Sequence, residues 1–152
     1  MIKHADIQDF EHIMSMMKNF ANAASVPALH DPDYDVRRIQ HLLFQIKNSG
    51  CIIIGYQDEQ PAGMLIARIM EDPWLPHVRT LKEMAWWVEP EHRGSTVGYR
   101  LLKEYVKTGE AMKASGVIEN FTLTLMTESP DFDLEKRGWR SVETNYVFEG
   151  RN

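Results

Sequence analysis

Residues 84–102 constrain the fold of this chain more than any other stretch. A short apolar run ends at Pro90, and a polar turn with Gly94 and Gly98 leads directly into a helical pattern. The apolar residues of that pattern share one helix face, and these are Leu101, Leu102, Tyr105, Val106 and Met112. A strand, a tight turn and a helix in this order direct free backbone N–H groups at an anion. The stretch therefore predicts a cradle for a phosphate or pyrophosphate, with Arg93 as a permanent cation beside it.

The rest of the chain predicts helices and strands around this unit. Helices are predicted at residues 7–23 after an Asp6 cap, at 35–49 before Gly50, from the cradle to 115, and at 131–137. Strands are predicted at residues 51–56, 62–70, 81–89 and 121–126, with one or two more at 139–149. The order predicts a mixed α/β sheet with helices packed on it. Its first two strands form a hairpin, and residues 81–126 form a right-handed parallel crossover.

Composition limits the classes of function. The 152 residues, 43% of them hydrophobic and 26% charged, predict one globular domain over residues 1–152. No apolar run approaches the roughly 20 residues of a membrane helix, and the first residues do not resemble a signal peptide. The lone Cys51 leaves no intrachain disulfide and favours a cytoplasmic location. A net charge of −5 argues against nucleic-acid binding and favours a cationic substrate such as an amine.

The residues around the cradle resemble the GNAT superfamily of acyl-CoA N-acyltransferases. The family pattern is Val-x-Pro, followed by Arg/Gln-x-x-Gly-x-Gly/Ala at the start of a helix. It stands here as Val88-Glu89-Pro90 and Arg93-Gly94-Ser95-Thr96-Val97-Gly98. The family's later Tyr-x-x-x-Gly-Phe element stands as Leu134-Glu135-Lys136-Arg137-Gly138-Trp139. Residues 86–94 are most similar to small GNAT proteins of tailed bacteriophages.

The resemblance implies a fold, a reaction and a binding site. The fold is a mixed central sheet of about six or seven strands flanked by about four helices. The reaction is direct transfer of the acetyl group of acetyl-CoA, as co-substrate, to a primary amine. The acyl arm is expected beside Trp87 and Val88. The pyrophosphate is expected beside Arg93 and on the backbone of Gly94, Ser95, Thr96, Val97, Gly98 and Tyr99.

Two positions depart from the family pattern. Thr96 stands where the motif has its first glycine, so its Cβ crowds the pyrophosphate or its hydroxyl donates to it. Leu134 stands where many members have a tyrosine that protonates the departing CoA thiolate. Tyr146, in the predicted last strand, is the candidate substitute acid, and water is the alternative.

Glu83 is the candidate general base. It lies on the predicted strand ten residues before Arg93, near the place where several family members carry their base. A strand carboxylate that faces a cleft has its pKa raised by desolvation, which suits a base. The alternative is a solvated residue at the sheet edge. Weaker candidates for the base or the acceptor pocket are Glu89, Glu71, Asp72 and His77.

Other classes of site and function fit the sequence less well. The six histidines lack the paired spacing of zinc motifs, so no metal is predicted. A nucleotide-binding P-loop is disfavoured because the chain lacks Gly-x-x-x-x-Gly-Lys-Ser/Thr. The main competing function is a catalytically weak CoA-binding module that acts through protein contacts, which Thr96 and Leu134 suggest. The identity of the acceptor amine stays open, and a homodimer is an open alternative to a monomer.

Overall fold

The computed structural model describes residues 1–151, so Asn152, the last residue of the predicted domain, lies outside the described residues. The three α-helices are Phe10–Ala23 (α1), Val36–Ser49 (α2) and Val97–Ala114 (α3). The five strands are Ile2–His4 (β1), Gly50–Gln57 (β2), Gln60–Glu71 (β3), Arg79–Val88 (β4) and Asn120–Thr122 (β5). They form one sheet in chain order, antiparallel from β1 to β4 and parallel between β4 and β5.

The helix boundaries follow from local chemistry. The Asp35 carboxylate accepts the Arg38 N–H at 3.1 Å and caps α2. Gly50 ends α2, as predicted, and at once begins β2. A Cβ at Gly50 would collide with the Ala67 carbonyl oxygen of β3, so only glycine allows the helix to turn directly into the sheet.

Apolar residues cover both faces of the sheet. On one face α1 and α2 pack on a cluster that contains Phe10, Ile13, Leu43, Ile46, Ile54, Met64, Ile66, Ala85 and Trp87. On the other face α3 packs on a cluster that contains Ile53, Leu65, Ala67, Leu81, Leu101, Tyr105 and Ile118. Alternation along β2 and β3 supplies both clusters.

A β-bulge in β4 changes which side chains face which helix. Ile66 of β3 pairs with Ala85 while the next residue, Ala67, pairs with Glu83, so Met84 is the extra residue. As a result Leu81 and Glu83 face α3, whereas Ala85 and Trp87 face α1. The bulge thus decides the side of the sheet on which the candidate base lies.

The described residues contain five strands and three α-helices, fewer than the six or seven strands and four helices predicted. Strand β1 was not predicted, because its three residues are too few to show a period. The helix predicted at residues 131–137 is only a 3-10 turn, Glu135–Arg137. The Asp131 carboxylate accepts the Asp133 N–H at 2.8 Å, and Asp133 has a φ of 54°. This local turn competes with a helix.

The end of the sheet also differs from the prediction. β5 stops at Thr122 rather than 126, because the Thr124 N–H donates to the Glu83 carboxylate instead of a strand carbonyl. Residues 139–149, predicted as one or two strands, contain no strand in the structure. Their alternation indicates strand propensity, but a strand also needs a partner, and within residues 1–151 this segment has none.

Candidate active site

The sheet opens between β4 and β5. Pairing covers only Thr80–Lys82 of β4 with Asn120–Thr122 of β5. Just before the strands separate, the Tyr105 hydroxyl of α3 lies 3.0 Å from the Leu81 carbonyl oxygen and 2.6 Å from the Thr122 carbonyl oxygen. Its single proton is shared between the two strands and holds them together there. Beyond that point, residues 84–88 of β4 have no strand partner on this side among residues 1–151. We call this opening the β4–β5 cleft.

Glu83 lies where the cleft begins. The residue is 5% exposed, and its Oε2 accepts the Thr124 N–H at 2.9 Å. Burial raises the pKa of its carboxyl to about 7, against the opposing effects of the Thr124 N–H and the Lys82 charge. The alternative of a solvated residue at the sheet edge is therefore wrong. A carboxyl with a pKa near neutrality matches the requirement for a general base.

The turn after β4 has the geometry of an anion site. A 3-10 turn, Pro90–His92, is followed by Gly94 with a φ of 87°, a conformation that favours glycine. Within residues 1–151 the N–H groups of Gly94, Thr96, Gly98 and Tyr99 have no acceptor. They lie at the positive end of the α3 dipole. Together they can hold a pyrophosphate.

The remaining predicted residues of the turn have structural roles or face solvent. The Ser95 hydroxyl donates to the His92 carbonyl oxygen at 2.6 Å and accepts the Val97 N–H at 3.3 Å. Thr96 is exposed and its side chain makes no capping hydrogen bond, so its hydroxyl is available to a ligand. Val97 is buried against the sheet. These contacts hold the turn and leave the N–H groups of Gly94, Thr96, Gly98 and Tyr99 free.

Gly98 brings the start of α3 close to the end of β4. A Cβ at Gly98 would lie 3.3 Å from Val88 Cγ2 and 3.5 Å from Phe132 Cζ. The Phe132 ring also packs on Trp86, with ring centroids 4.4 Å apart. Val88, Trp86 and Phe132 therefore form one apolar wall beside the N–H groups of the turn.

Arg93 does not point along this wall. Its guanidinium lies 4.7 Å from the centre of the Trp87 ring, and its Nε donates to the Val88 carbonyl oxygen at 3.1 Å. Trp87 faces α1, where Phe20 packs on it edge-on, so the Arg93 side chain folds over the α1 side of β4. This geometry disfavours the predicted phosphate contact, because the stacking on Trp87 holds the charge on the α1 side of the sheet, whereas α3 packs on the other side.

Arg137 brings a different cation to the start of α3, and sequence reasoning missed it. Its guanidinium lies 4.6 Å from the centre of the Tyr99 ring, and its Nε donates to the Phe132 carbonyl oxygen at 2.8 Å. Tyr99 carries one of the free N–H groups. The signal available in the sequence was the position of Arg137 immediately before a glycine, Gly138. In the structure Gly138 has a φ of 90° and ends the 3-10 turn.

The other candidate residues lie apart from Glu83. Tyr146 is 91% exposed, so the structure does not place its hydroxyl in a site. Glu89 accepts from Asn19 Nδ2 of α1 at 2.9 Å, and Asp72 accepts two N–H groups of its own loop. Burial raises the pKa of the Cys51 thiol to about 12, which disfavours a nucleophilic role. No three histidine, cysteine or carboxylate side chains of residues 1–151 are grouped so as to hold a metal ion.

Comparison with known proteins identifies this arrangement. The sequence profile of the Acetyltransferase (GNAT) family matches residues 14–129, which include the cleft, the turn and α3. The chain belongs to the GNAT family of acetyltransferases. No curated protein sequence matches this GNAT chain significantly. No helix within residues 1–151 is long and apolar enough to cross a membrane.

Solved structures support the GNAT fold. A predicted acetyltransferase of Clostridium acetobutylicum with acetyl-CoA has a TM-score of 0.72 at 14% identity, over 98% of this chain and 95% of that one. A ribosomal-protein-alanine N-acetyltransferase of Brucella melitensis has a TM-score of 0.62 at 15% identity, over 99% of each chain. A soil metagenomic aminoglycoside acetyltransferase in complex with sisomicin has a TM-score of 0.64 at 14% identity, over 98% of this chain and 96% of that one. At such identities the likeness shows the fold alone.

The residues present fit the acetyl-CoA of this family. Free N–H groups at the start of α3 match a pyrophosphate, and the unpaired edge of β4 offers backbone groups to an extended amide-bearing arm.

Proposed function

We propose that this protein is an N-acetyltransferase that moves the acetyl group of acetyl-CoA directly to a primary amine. The observation that supports this most strongly is the buried Glu83 carboxylate at the start of the β4–β5 cleft, with a pKa of about 7. An amine must be neutral before it attacks a thioester, and a group with this pKa accepts the proton near neutral pH.

Few residues of the chain take part in the proposed transfer. Bound acetyl-CoA supplies a thioester carbonyl carbon. The amine nitrogen bonds to that carbon, the carbon–sulfur bond breaks, and Glu83 accepts the nitrogen's proton directly or through water. The Gly94, Thr96, Gly98 and Tyr99 N–H groups bind the pyrophosphate, and Arg137 adds its charge.

The departing thiolate takes its proton from water. Leu134 has no proton to give, and the Tyr146 hydroxyl is too exposed to act within the cleft of the same chain. A thiolate is a good leaving group even when no acid protonates it. The lack of a general acid therefore slows the reaction less than loss of the general base would. The proposed reaction therefore depends on Glu83.

The acceptor is proposed to be a cationic amine. The net charge of −5 favours the approach of such a molecule. Two of the proteins with a similar fold act, by their names, on an alanine of a ribosomal protein and on an aminoglycoside. The fold is therefore compatible with both small and large acceptors. The lone buried cysteine supports a cytoplasmic location for the reaction.

The second candidate function is a CoA-binding module without efficient catalysis. Leu134 in place of a tyrosine and the exposed Thr96 in place of a glycine favour it. Calorimetric titration with acetyl-CoA and thiol release across a broad amine panel separate the two functions. Binding with turnover supports the enzyme, whereas binding without turnover on any amine supports the module.

Binding itself is tested at Gly98. At about a hundred times its dissociation constant, acetyl-CoA should raise the free energy of unfolding by roughly 2.7 kcal/mol. Gly98→Asp should abolish this shift, and Gly98→Ala, which adds the Cβ without the charge, should retain more of it. Arg137→Ala should weaken binding by about 1–3 kcal/mol, and more than Arg93→Ala does. An unchanged shift in Gly98→Asp would place the cofactor elsewhere.

A further inference from the structure

A side chain of α3 lies at the point where strands β4 and β5 separate. The pairing of the two strands ends at Lys82 and Thr122. The Thr122 carbonyl oxygen, in this last pair, accepts the Tyr105 hydroxyl at 2.6 Å. The same hydroxyl lies 3.0 Å from the Leu81 carbonyl oxygen of β4. Since it reaches both strands at the end of their pairing, the hydroxyl is placed to fix the point at which β5 turns away.

Helix α3 approaches β5 closely enough to bring Tyr105 to this point. Gly109 follows Tyr105 by one turn and therefore lies on the same side of the helix. A Cβ at Gly109 would lie 2.6 Å from the Phe121 ring of β5, so the glycine allows that ring to pack against the helix backbone. The Tyr105 ring packs edge-on to Phe121 and lies parallel to the Trp139 ring. Glycine destabilises a helix interior, so its presence here favours a functional need for this close approach.

The Tyr105 hydroxyl keeps its proton throughout the neutral range. The side chain is fully buried, and burial raises the pKa of the hydroxyl. The Cys51 thiol of β2 and the Glu83 carboxyl raise this pKa further. A protonated hydroxyl donates, and the two carbonyl oxygens beside it accept. The contact between the two strands therefore persists while Glu83 titrates.

The separation of the strands also supplies the only donor to the Glu83 carboxylate within residues 1–151. Thr124 follows Thr122 by two residues, and its N–H donates to Glu83 Oε2 at 2.9 Å. Glu83 follows Leu81, the other contact of the Tyr105 hydroxyl, by two residues. Because the pairing of β5 has ended, the Thr124 N–H is free to bond to this carboxylate. The donor lowers the pKa of Glu83 against the raising effect of burial.

We propose that Tyr105 is a positioning residue for the transfer: its hydroxyl holds β4 and β5 at the start of the β4–β5 cleft, so that the Thr124 N–H stays on the Glu83 carboxylate. This inference rests on the proposed function, because Glu83 is the base of that reaction. Tyr105 is fully buried, so it does not contact a substrate itself. It acts through the positions of the two strands and through one N–H group.

The first test removes the hydroxyl alone. Tyr105→Phe keeps the ring that packs on Phe121 and Trp139, so Glu83 stays buried while its donor is no longer held in place. Loss of a donor to the charged form raises the pKa of a carboxyl, and we expect Glu83 to titrate about one pH unit higher than in the parent. Near pH 7 turnover should fall roughly fivefold, and it should recover at high pH with KM for acetyl-CoA unchanged.

The other titratable groups near Glu83 leave this expected sign unchanged. Lys82 of β4 lowers the pKa of Glu83 and is retained in the variant. Burial raises the pKa of the Cys51 thiol beside Tyr105 to about 12, so the thiol stays protonated over the range. Carbon NMR of labelled glutamate follows the carboxyl of Glu83 without any ligand, and Glu83→Gln assigns the signal. This measurement needs no turnover.

Tyr56→Phe is the matched control, because it also removes a buried hydroxyl donor. That hydroxyl donates to Asp9 at 2.6 Å and lies outside the cleft, so its loss should lower stability without moving the titration of Glu83. Gly109→Ala is the second variant. It retains the Tyr105 hydroxyl, but its Cβ pushes on Phe121 and displaces β5, so it should also raise the pKa of Glu83.

The last variant tests the route through Thr124. Thr124→Pro removes the N–H itself, so it should raise the pKa of Glu83 as Tyr105→Phe does, and the double variant should show no further rise. Additive shifts would overturn the proposal. So would an unchanged or lowered pKa of Glu83 in Tyr105→Phe and Gly109→Ala, or an equal rise in Tyr56→Phe. The expected shifts in a protein without turnover would support the role of Tyr105 and overturn only the proposed transfer.

Discussion

Asp9 and Glu83 are the two buried charged side chains among the described residues, at 4% and 5% exposure, and their surroundings are opposite. The Asp9 carboxylate accepts from Lys3 Nζ at 2.8 Å, the Tyr56 hydroxyl at 2.6 Å and the Asp6 N–H at 2.8 Å. The Glu83 carboxylate accepts one N–H, that of Thr124. Both side chains are thus shielded from solvent, but the Asp9 carboxylate is paired with a cation and two further donors, whereas the Glu83 carboxylate has one donor and no ion pair.

The difference appears in the two pKa values. Burial pushes the pKa of Asp9 upward, but Lys3, Tyr56 and the Asp6 N–H outweigh it and hold that pKa below its usual value. Burial raises the pKa of Glu83 to about 7 because no cation pairs with it in the described chain. Asp9 fastens β1, the start of α1 and β2 together, whereas Glu83 lies at an opening in the sheet. A buried carboxylate left without a cation is the arrangement that favours catalysis over stability.

The largest effect expected from this difference is on turnover. Glu83→Gln keeps the size of the side chain and removes its basicity, so turnover should fall by about 10²–10⁴-fold with acetyl-CoA affinity nearly unchanged. The parental rate should rise through an ionisation near pH 7 that the variant lacks. Thiol release with an amine found by screening measures both properties.

Asp9→Asn is the matched control for this experiment. It removes the other buried carboxylate and should leave turnover per folded molecule unchanged. A parental rate and pH profile in Glu83→Gln would show that the proton goes to another group, and the distinction between the two carboxylates would not concern catalysis.

The next effect is on the pH dependence of stability. An unfolded glutamate titrates near 4.5 and the folded Glu83 near 7, so between these values the folded state binds more protons. The free energy of unfolding should therefore fall as pH rises, by roughly 3 kcal/mol over this range. Glu83→Gln should lack this decrease, and urea titrations of both proteins at about pH 5 and about pH 8 measure it. Parallel changes in parent and variant would show that Glu83 titrates normally.

Local patterns predicted much of the fold. Both α1 and α2, the β2–β3 hairpin and the parallel β4–α3–β5 unit follow from periods and turn residues within short stretches. Glu83 was identified because the motif after it fixes its distance from the turn. The desolvation expected of a strand carboxylate that faces a cleft is present. The face of the sheet on which Glu83 lies and its single donor were not predictable, since the bulge at Met84 and the departure of β5 at Thr124 depend on contacts between strands.

The directions of side chains were likewise not predictable from local sequence patterns. Arg93 belongs to the motif by sequence, but Trp87 and the Val88 carbonyl oxygen determine where its charge lies. Arg137 is far along the chain and reaches Tyr99 only through the fold. The pattern at residues 139–149 predicts one or two strands, but a strand also needs a partner, which a local pattern does not supply.

A smaller effect is expected at Asp9. Asp9→Asn removes the charge that Lys3 and Tyr56 satisfy, and should lower the free energy of unfolding at neutral pH by about 2 kcal/mol. Because the folded pKa of Asp9 is depressed, its stabilisation is present above the unfolded value of about 3.8 and is lost as pH falls through the folded value. The deficit of Asp9→Asn should therefore shrink in acid, opposite to the trend for Glu83. A deficit that is independent of pH would mean that packing, and not charge, makes Asp9 stabilising.

The smallest effect is expected from removing one donor of Asp9 while keeping its ion pair. Tyr56→Phe deletes the hydroxyl that donates to Asp9 Oδ1 at 2.6 Å and should cost roughly 1 kcal/mol of unfolding free energy. Burial beside Asp9 raises the pKa of Tyr56 to about 12, so the hydroxyl remains a donor throughout the neutral range and the cost should not vary there. Urea titration between about pH 6 and about pH 9 measures it, with turnover expected to match the parent. Tyr56→Phe is expected to leave turnover unchanged, so a loss of turnover like that expected for Glu83→Gln would contradict this assignment. It would show that Asp9, Lys3 and Tyr56 take part in catalysis and that the role of Asp9 is not purely structural.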